Sequence, residues 1–119
     1  MRRLLGLEER AATKAGALTL WHGTKSENVP KIKREGLKPQ YDWWYGDDPD
    51  PELQALAEPD AVYFAKSRED ACQLGGAAIF KATIPRSWVH KEREMEGFIE
   101  VLVTRPIPPS MLTYDGECE

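Results

Sequence analysis

Three short apolar segments, each with one polar side chain set into it, constrain the fold of this chain most strongly. Residues 17–21 lead into His22-Gly23-Thr24, residues 61–65 have Tyr63 at their centre, and residues 98–103 contain Glu100. Apolar runs of four to eight residues bounded by turn signals are typical of buried strands. The pattern therefore predicts a β-sheet that carries a histidine, a tyrosine and a glutamate, each on its own strand.

Short helices are expected between these strands. Strands are predicted at residues 17–22, 61–65, 77–84 and 98–104, with a last short one at 111–114. Helices are predicted at residues 3–15, after Ser26 or Asn28 with Pro30 in the first turn and Gly36 as the stop, and after the capping pattern Ser67-Arg68-Glu69-Asp70. The charged residues 91–95 indicate a solvated connection. This interleaving predicts an α+β fold.

Residues 39–60 form an acidic, aromatic segment with four prolines, and we expect mostly loop with a helical turn at 52–57. The adjacent Trp43, Trp44 and Tyr45 could either close over a ligand or anchor the loop. The acidic run at 47–50 lacks the glycine and the spacing of a calcium loop. Neither His22 nor His90 has ligand spacing with a cysteine, so no metal site is predicted.

Size and composition restrict the class of protein. With 119 residues we expect one domain, 1–119, that includes the N-terminal helix within 1–16. The formal net charge of −4 argues against a broadly basic nucleic-acid surface. Cys72 and Cys118 are too few and too isolated to predict a disulfide framework, which favours a reducing compartment. No apolar run is long enough to span a membrane, and the N-terminus does not resemble a signal peptide, so a cytoplasmic location is expected.

Three segments of the sequence together resemble a known family. Residues 20–39, LWHGTKSENVPKIKREGLKP, resemble the opening of the catalytic domain of poly(ADP-ribose) polymerases and related ADP-ribosyltransferases. The segment VYFAKSREDA is similar to the family's Gly-Ile-Tyr-Phe-Ala segment, and IEVLV resembles the strand that carries its catalytic glutamate. The order His, Tyr, Glu matches, and the resemblance covers about residues 18–113. It implies an ADP-ribosyltransferase-like fold, with a split, mainly antiparallel sheet and short flanking helices.

The resemblance also implies an activity. It predicts an NAD-dependent mono-ADP-ribosyltransferase that cleaves the nicotinamide–ribose bond and transfers ADP-ribose to a protein or nucleic acid, with NAD as co-substrate. Glu100 would stabilise the cationic ribose, Tyr63 would stack on nicotinamide, and His22 would hold a ribose hydroxyl beside Gly23 and Thr24. These side chains are expected to converge on one cleft, with the ligand lying across a split sheet and no Rossmann fingerprint needed.

Two departures from the family pattern shape this expectation. Residues 71–74 offer no second tyrosine for nicotinamide, although Trp43, Trp44 or Tyr45 could replace it. The chain is also shorter than the family's catalytic domain, which favours transfer of a single ADP-ribose over polymer formation.

Other interpretations stay open at the level of sequence. An RNA 2′-phosphotransferase that uses NAD shares the His-Gly-Thr segment, but its additional arginine and histidine motifs are not found here. A non-catalytic module that binds NAD or ADP-ribose is a third possibility. His22 and Tyr63 could also be core residues, and Glu100 could be an outward-facing strand residue.

Overall fold

The structure is a computed structural model that describes residues 16–41, 47, 49–55, 57–95 and 97–118. The helix predicted at residues 3–15 lies outside the described residues, as do Trp43, Trp44 and Tyr45. No helix within the described ranges is both long enough and apolar enough to cross a membrane.

Six strands of the described chain form one antiparallel sheet in the order β4-β5-β2-β1-β3-β6. The strands are β1 (Ala17–Thr24), β2 (Val62–Ala65), β3 (Ala78–Pro85), β4 (Val89–Met95), β5 (Phe98–Val103) and β6 (Leu112–Glu117). Strands β1 and β3 are aligned over their full length, whereas the register between β1 and β2 rests on the single pair Trp21 and Ala65. The sheet is therefore held least firmly between β1 and β2, directly beside His22. By the β1/β2 opening we mean this short stretch of sparse strand pairing between His22 and Tyr63.

Three short helices accompany the sheet. They are α1 (Val29–Glu35), α2 (Pro51–Gln54) and α3 (Arg68–Gly75), and 3₁₀ turns occur at Ser26–Asn28, Arg86–Trp88 and Pro109–Met111. Helix α1 has Pro30 in its first turn and ends at Gly36, whose φ of 80° suits glycine. The Ser67 hydroxyl accepts a hydrogen bond from the Asp70 backbone N–H, which confirms the predicted start of α3. The predicted α+β class is thus confirmed: a small domain with an antiparallel sheet and a few short helices.

Side chains of the sheet alternate between two apolar layers because successive strand residues face opposite sides. The larger layer lies on the face covered by α1, and the smaller one lies on the face covered by α3. The larger layer includes Leu20, Ile32, Val62, Phe64, Phe80, Val101 and Val103. The smaller layer is built from Ala65, Ala71 and Ile79, with Trp21 packed against it. Below, these sides are called the α1 face and the α3 face.

The interpretation of residues 91–95 as a solvated connection is wrong, because these residues belong to strand β4. Strand β4 pairs with β5 in an antiparallel ladder in which Arg93 lies opposite Glu100. As one of the two edge strands of the described sheet, β4 exposes Lys91, Glu92 and Glu94, as edge strands commonly do. Arg93 is less exposed, and its side chain contacts Glu100 of β5 and the Tyr63 ring of β2.

The sequence suggested that the two cysteines are isolated, but the structure pairs them. Cys72 of α3 and Cys118, just after β6, form a disulfide with their Cα atoms 5.8 Å apart. Arg68 strengthens the same junction by an ion pair with Asp115 at 3.2 Å. Sequence spacing missed the pair because α3 and the end of β6 meet only in the folded sheet. The argument for a reducing compartment, which rested on isolated cysteines, is therefore removed.

Candidate active site

His22 lies on β1 at the β1/β2 opening, and one hydrogen bond fixes its ring. Its Nδ1 atom is 2.8 Å from the carbonyl oxygen of Tyr63. Because a carbonyl oxygen can only accept, Nδ1 carries the proton and Nε2 is the acceptor nitrogen of the neutral ring. Burial lowers the pKa of His22 below its ordinary value, and the hydrogen bond to Tyr63 opposes this shift only in part. At neutral pH the imidazole is thus uncharged and offers Nε2 to a donor such as a hydroxyl.

Tyr63 lies on β2, where its backbone and its side chain have different neighbours. Its carbonyl oxygen binds His22, while its ring lies 5.5 Å from the guanidinium carbon of Arg93. The hydroxyl oxygen of Tyr63 is buried. The next residue, Phe64, meets the His22 ring edge-on with 6.0 Å between the ring centroids. Tyr63 therefore joins the histidine on one side to the charged pair on the other.

Glu100 forms an ion pair with Arg93 inside the sheet. The Nε atom of Arg93 donates to Oε1 of Glu100 at 2.8 Å, and the two side chains are only 9% and 13% exposed, respectively. This contact explains how a carboxylate fits between Ile99 and Val101. The alternative of an outward-facing, solvated glutamate does not hold, because the side chain is largely buried.

The strand register separates the three predicted catalytic side chains between the two faces of the sheet. His22 is opposite Phe80, which belongs to the apolar layer on the α1 face. Glu100 is opposite Ala65, which belongs to the layer on the α3 face. Tyr63 alternates with Val62 and Phe64, so its side chain shares the face of Glu100.

The three residues are linked by contacts, although their side chains do not lie on the same face of the sheet. His22 reaches Tyr63 through its backbone carbonyl, and Tyr63 reaches Glu100 through Arg93. The cleft beside His22 is not lined by Tyr63, Arg93 or Glu100, so His22 and Glu100 are exposed to different faces of the sheet. The prediction that His22, Tyr63 and Glu100 converge on one cleft therefore does not agree with the strand register, which puts His22 and Glu100 on opposite faces.

Gly23 allows helix α3 to come close to β1. A Cβ atom at this position would lie 2.6 Å from the carbonyl oxygen of Ala71 in α3. A Cβ atom on Gly76, just after α3, would collide with the backbone of Thr24. The two glycines therefore let the α3 segment pack directly on the strand that carries His22. The contact between α3 and β1 explains why a glycine is needed at position 23.

A polar cleft of about 240 Å³ lies beside His22 on the α1 face. Its lining includes Thr24, Asn28, Lys31, Lys38 and Gln40. The Thr24 hydroxyl accepts a hydrogen bond from the Asn28 side-chain amide at 3.1 Å, which joins β1 to the residue that precedes α1. Lys31, Lys38 and Glu35 all line the cleft, and Lys38 contacts Glu35 at 3.1 Å, so the positive charge in excess corresponds to one lysine. Such a cleft suits an anionic ligand that carries hydroxyl groups.

No protein-family model matches the chain, and no curated protein matches it.

Sequence reasoning proposed His22, Tyr63, Glu100, Gly23 and Thr24 as site residues and did not include Arg93, which contacts both Glu100 and Tyr63. The alternation Lys-Glu-Arg-Glu at residues 91–94 could have indicated a strand, because it fits a strand as well as a turn.

Proposed function

We propose that this protein is an NAD-dependent mono-ADP-ribosyltransferase of the ADP-ribosyltransferase fold. The observation that carries the proposal is the arrangement at the β1/β2 opening. A neutral His22 with an acceptor nitrogen lines a polar cleft that contains Lys31 and Lys38 on one face, and Arg93 joins Glu100 to Tyr63 on the other. The order of these residues along the chain and the antiparallel sheet agree with the family resemblance.

In this proposal the dinucleotide spans the opening. Its phosphates lie in the cleft near Lys31 and Lys38, whose charges complement them. The Nε2 atom of His22 accepts a hydrogen bond from a ribose hydroxyl, with Thr24 as a further polar neighbour. The nicotinamide ribose is assigned to the α3 face, where the Tyr63 ring and the Glu100 carboxylate both lie beside Arg93.

The reaction breaks the bond between the ribose C1 carbon and the nicotinamide nitrogen. The bonding electron pair leaves with nicotinamide, and the ribose becomes an oxocarbenium-like cation. Glu100 stabilises this cation through its negative charge and through a hydrogen bond from a ribose hydroxyl. A nucleophilic atom of the acceptor then forms a bond to C1 and releases its proton to solvent. The products are nicotinamide, a proton and an ADP-ribosylated protein or nucleic acid.

The test is incubation of the purified protein with NAD labelled in its adenine half, with and without cell lysate. Nicotinamide release and label that survives on macromolecules are the expected results. Protease and nuclease digestion then distinguish a protein acceptor from a nucleic-acid acceptor. NAD binding without any nicotinamide release under either condition would refute the enzymatic proposal and favour a binding module.

A parallel incubation with RNA that carries a 2′-phosphate tests the competing enzyme class. Loss of that phosphate, with label transferred to the phosphate rather than to a macromolecule, would identify a phosphotransferase.

A further inference from the structure

We propose that Arg93 is a positioning residue that holds Glu100 ionised and oriented at the β1/β2 opening. This inference rests on the proposed function, because it assigns a task to a neighbour of the proposed catalytic carboxylate. It is carried by the 2.8 Å contact between Arg93 Nε and Glu100 Oε1 and by the low exposure of both side chains. The two residues are also direct partners in the β4–β5 register.

Burial explains why Glu100 needs a cationic partner. Removing a carboxylate from water disfavours its charged form, and an adjacent positive charge favours it. An arginine guanidinium stays protonated at all ordinary pH values, so its support for the carboxylate does not vanish near neutrality. Without Arg93, the largely buried Glu100 would hold its proton to higher pH. A protonated carboxyl group lacks the charge that the cationic ribose requires.

Arg93 also fixes where the carboxylate lies. The same guanidinium lies over the Tyr63 ring at 5.5 Å, close enough for a cation–π contact. One side chain thus sets the spacing between the carboxylate and the aromatic ring that would meet nicotinamide. A carboxylate has about four acceptor positions, so the ion pair and a ribose hydroxyl can be accommodated together.

Charged and titratable groups from both neighbouring strands surround the carboxylate. Arg93 faces it from β4 and Tyr63 from β2. Lys66, which follows Ala65 at the end of β2, is engaged by Glu92 at 2.9 Å. Arg93 contacts Glu100 directly, so its removal is expected to alter the titration of that carboxylate.

The test compares Arg93→Gln and Arg93→Lys with the wild type in nicotinamide release, measured as kcat and KM for NAD over a range of pH. At neutral pH we expect Arg93→Gln to lower kcat by about 10²-fold, the scale of one lost electrostatic contact. KM should change no more than a few-fold. The acid limb of the profile should move to higher pH, so that activity recovers as the pH rises. Arg93→Lys should recover much of the rate because its ammonium group keeps the charge. Arg86→Gln, at an exposed arginine in a 3₁₀ turn, is the matched control.

An equal loss at every pH with an unmoved acid limb, or no loss at all, would overturn the inference. If the wild type releases no nicotinamide, the proposed function fails, and carbon NMR of the Glu100 carboxyl still tests the pair. The titration midpoint of that carboxyl should rise in Arg93→Gln and stay near the wild-type value in Arg93→Lys. An unchanged midpoint in Arg93→Gln would contradict the role of Arg93 even in an inactive protein.

Discussion

Removal of the disulfide between Cys72 and Cys118 is expected to lower the free energy of unfolding substantially. The two cysteines are separated by 46 positions, so the bond closes a long loop in the unfolded chain. The chain-entropy relation for a loop of this size gives about 4 kcal/mol at 25 °C. With an unfolding entropy of about 2.1 cal/mol/K per residue, that loss corresponds to a decrease in Tm of about 16 °C. This is an upper figure, because residual structure in the unfolded chain reduces the effect.

The assay is urea unfolding of the wild type and of the Cys72→Ala, Cys118→Ala double variant, each with and without reductant. Trp21 packs against the same small apolar cluster as the two cysteines, and tryptophan fluorescence can report the transition. The reductant should shift the wild-type midpoint to lower urea and leave the double variant unchanged. Intact mass under non-reducing conditions should show the loss of two hydrogens in the wild type. A wild-type midpoint that does not respond to reductant, together with free thiols by mass, would refute the reasoning.

Three further results are expected from single substitutions. Gly23→Ala should lower the free energy of unfolding by about 1–3 kcal/mol in urea unfolding, because its Cβ atom would lie 2.6 Å from the Ala71 carbonyl oxygen. Gly16→Ala is the control, because a Cβ atom at that position would have no neighbour within 4 Å. Because burial lowers the pKa of His22 from the ordinary 6.5, the unfolded chain binds this proton more readily than the native one. The free energy of unfolding should therefore carry no penalty from His22 above pH 6.5 and should fall as the pH is lowered toward the lowered pKa. His22→Asn should show a smaller fall in urea unfolding, and the same dependence on pH as the wild type would contradict this expectation. Tyr63→Ala should weaken NAD binding in calorimetry by about 1 kcal/mol, about five-fold in Kd, through lost stacking, and unchanged affinity would remove Tyr63 from the site.

The strands and short helices were largely predictable because their signals are local. Apolar runs identified the cores of β1, β2, β3 and β5, and the interval between Pro30 and Gly36 fixed α1 closely. Strand β4 was missed because its residues are mostly charged, and an edge strand needs apolar contacts on only part of its surface. The sequence of β4 contains the alternation but not the identity of its partner strand.

The arrangement of the candidate site depended on information that a single sequence does not contain. Alternation within a strand gives the face of a side chain only relative to its own strand. The register of β1 with β3 and of β2 with β5 decides that His22 and Glu100 belong to opposite faces. The contact of Gly23 with α3 and the pairing of Cys72 with Cys118 likewise arise from packing between distant segments.

The most direct test of the proposed function is the rate of nicotinamide release by Glu100→Gln, measured with acceptor-containing lysate present. Glutamine keeps the size of the side chain and one acceptor oxygen, so NAD affinity should stay within a few-fold of the wild type. It loses the charge that matters most when the ribose becomes cationic, so kcat should fall by about 10²–10³-fold. Glu94→Gln, at an exposed carboxylate on β4, is the matched control and should retain wild-type activity. Release by Glu100→Gln within a few-fold of an active wild type would contradict the catalytic role of Glu100.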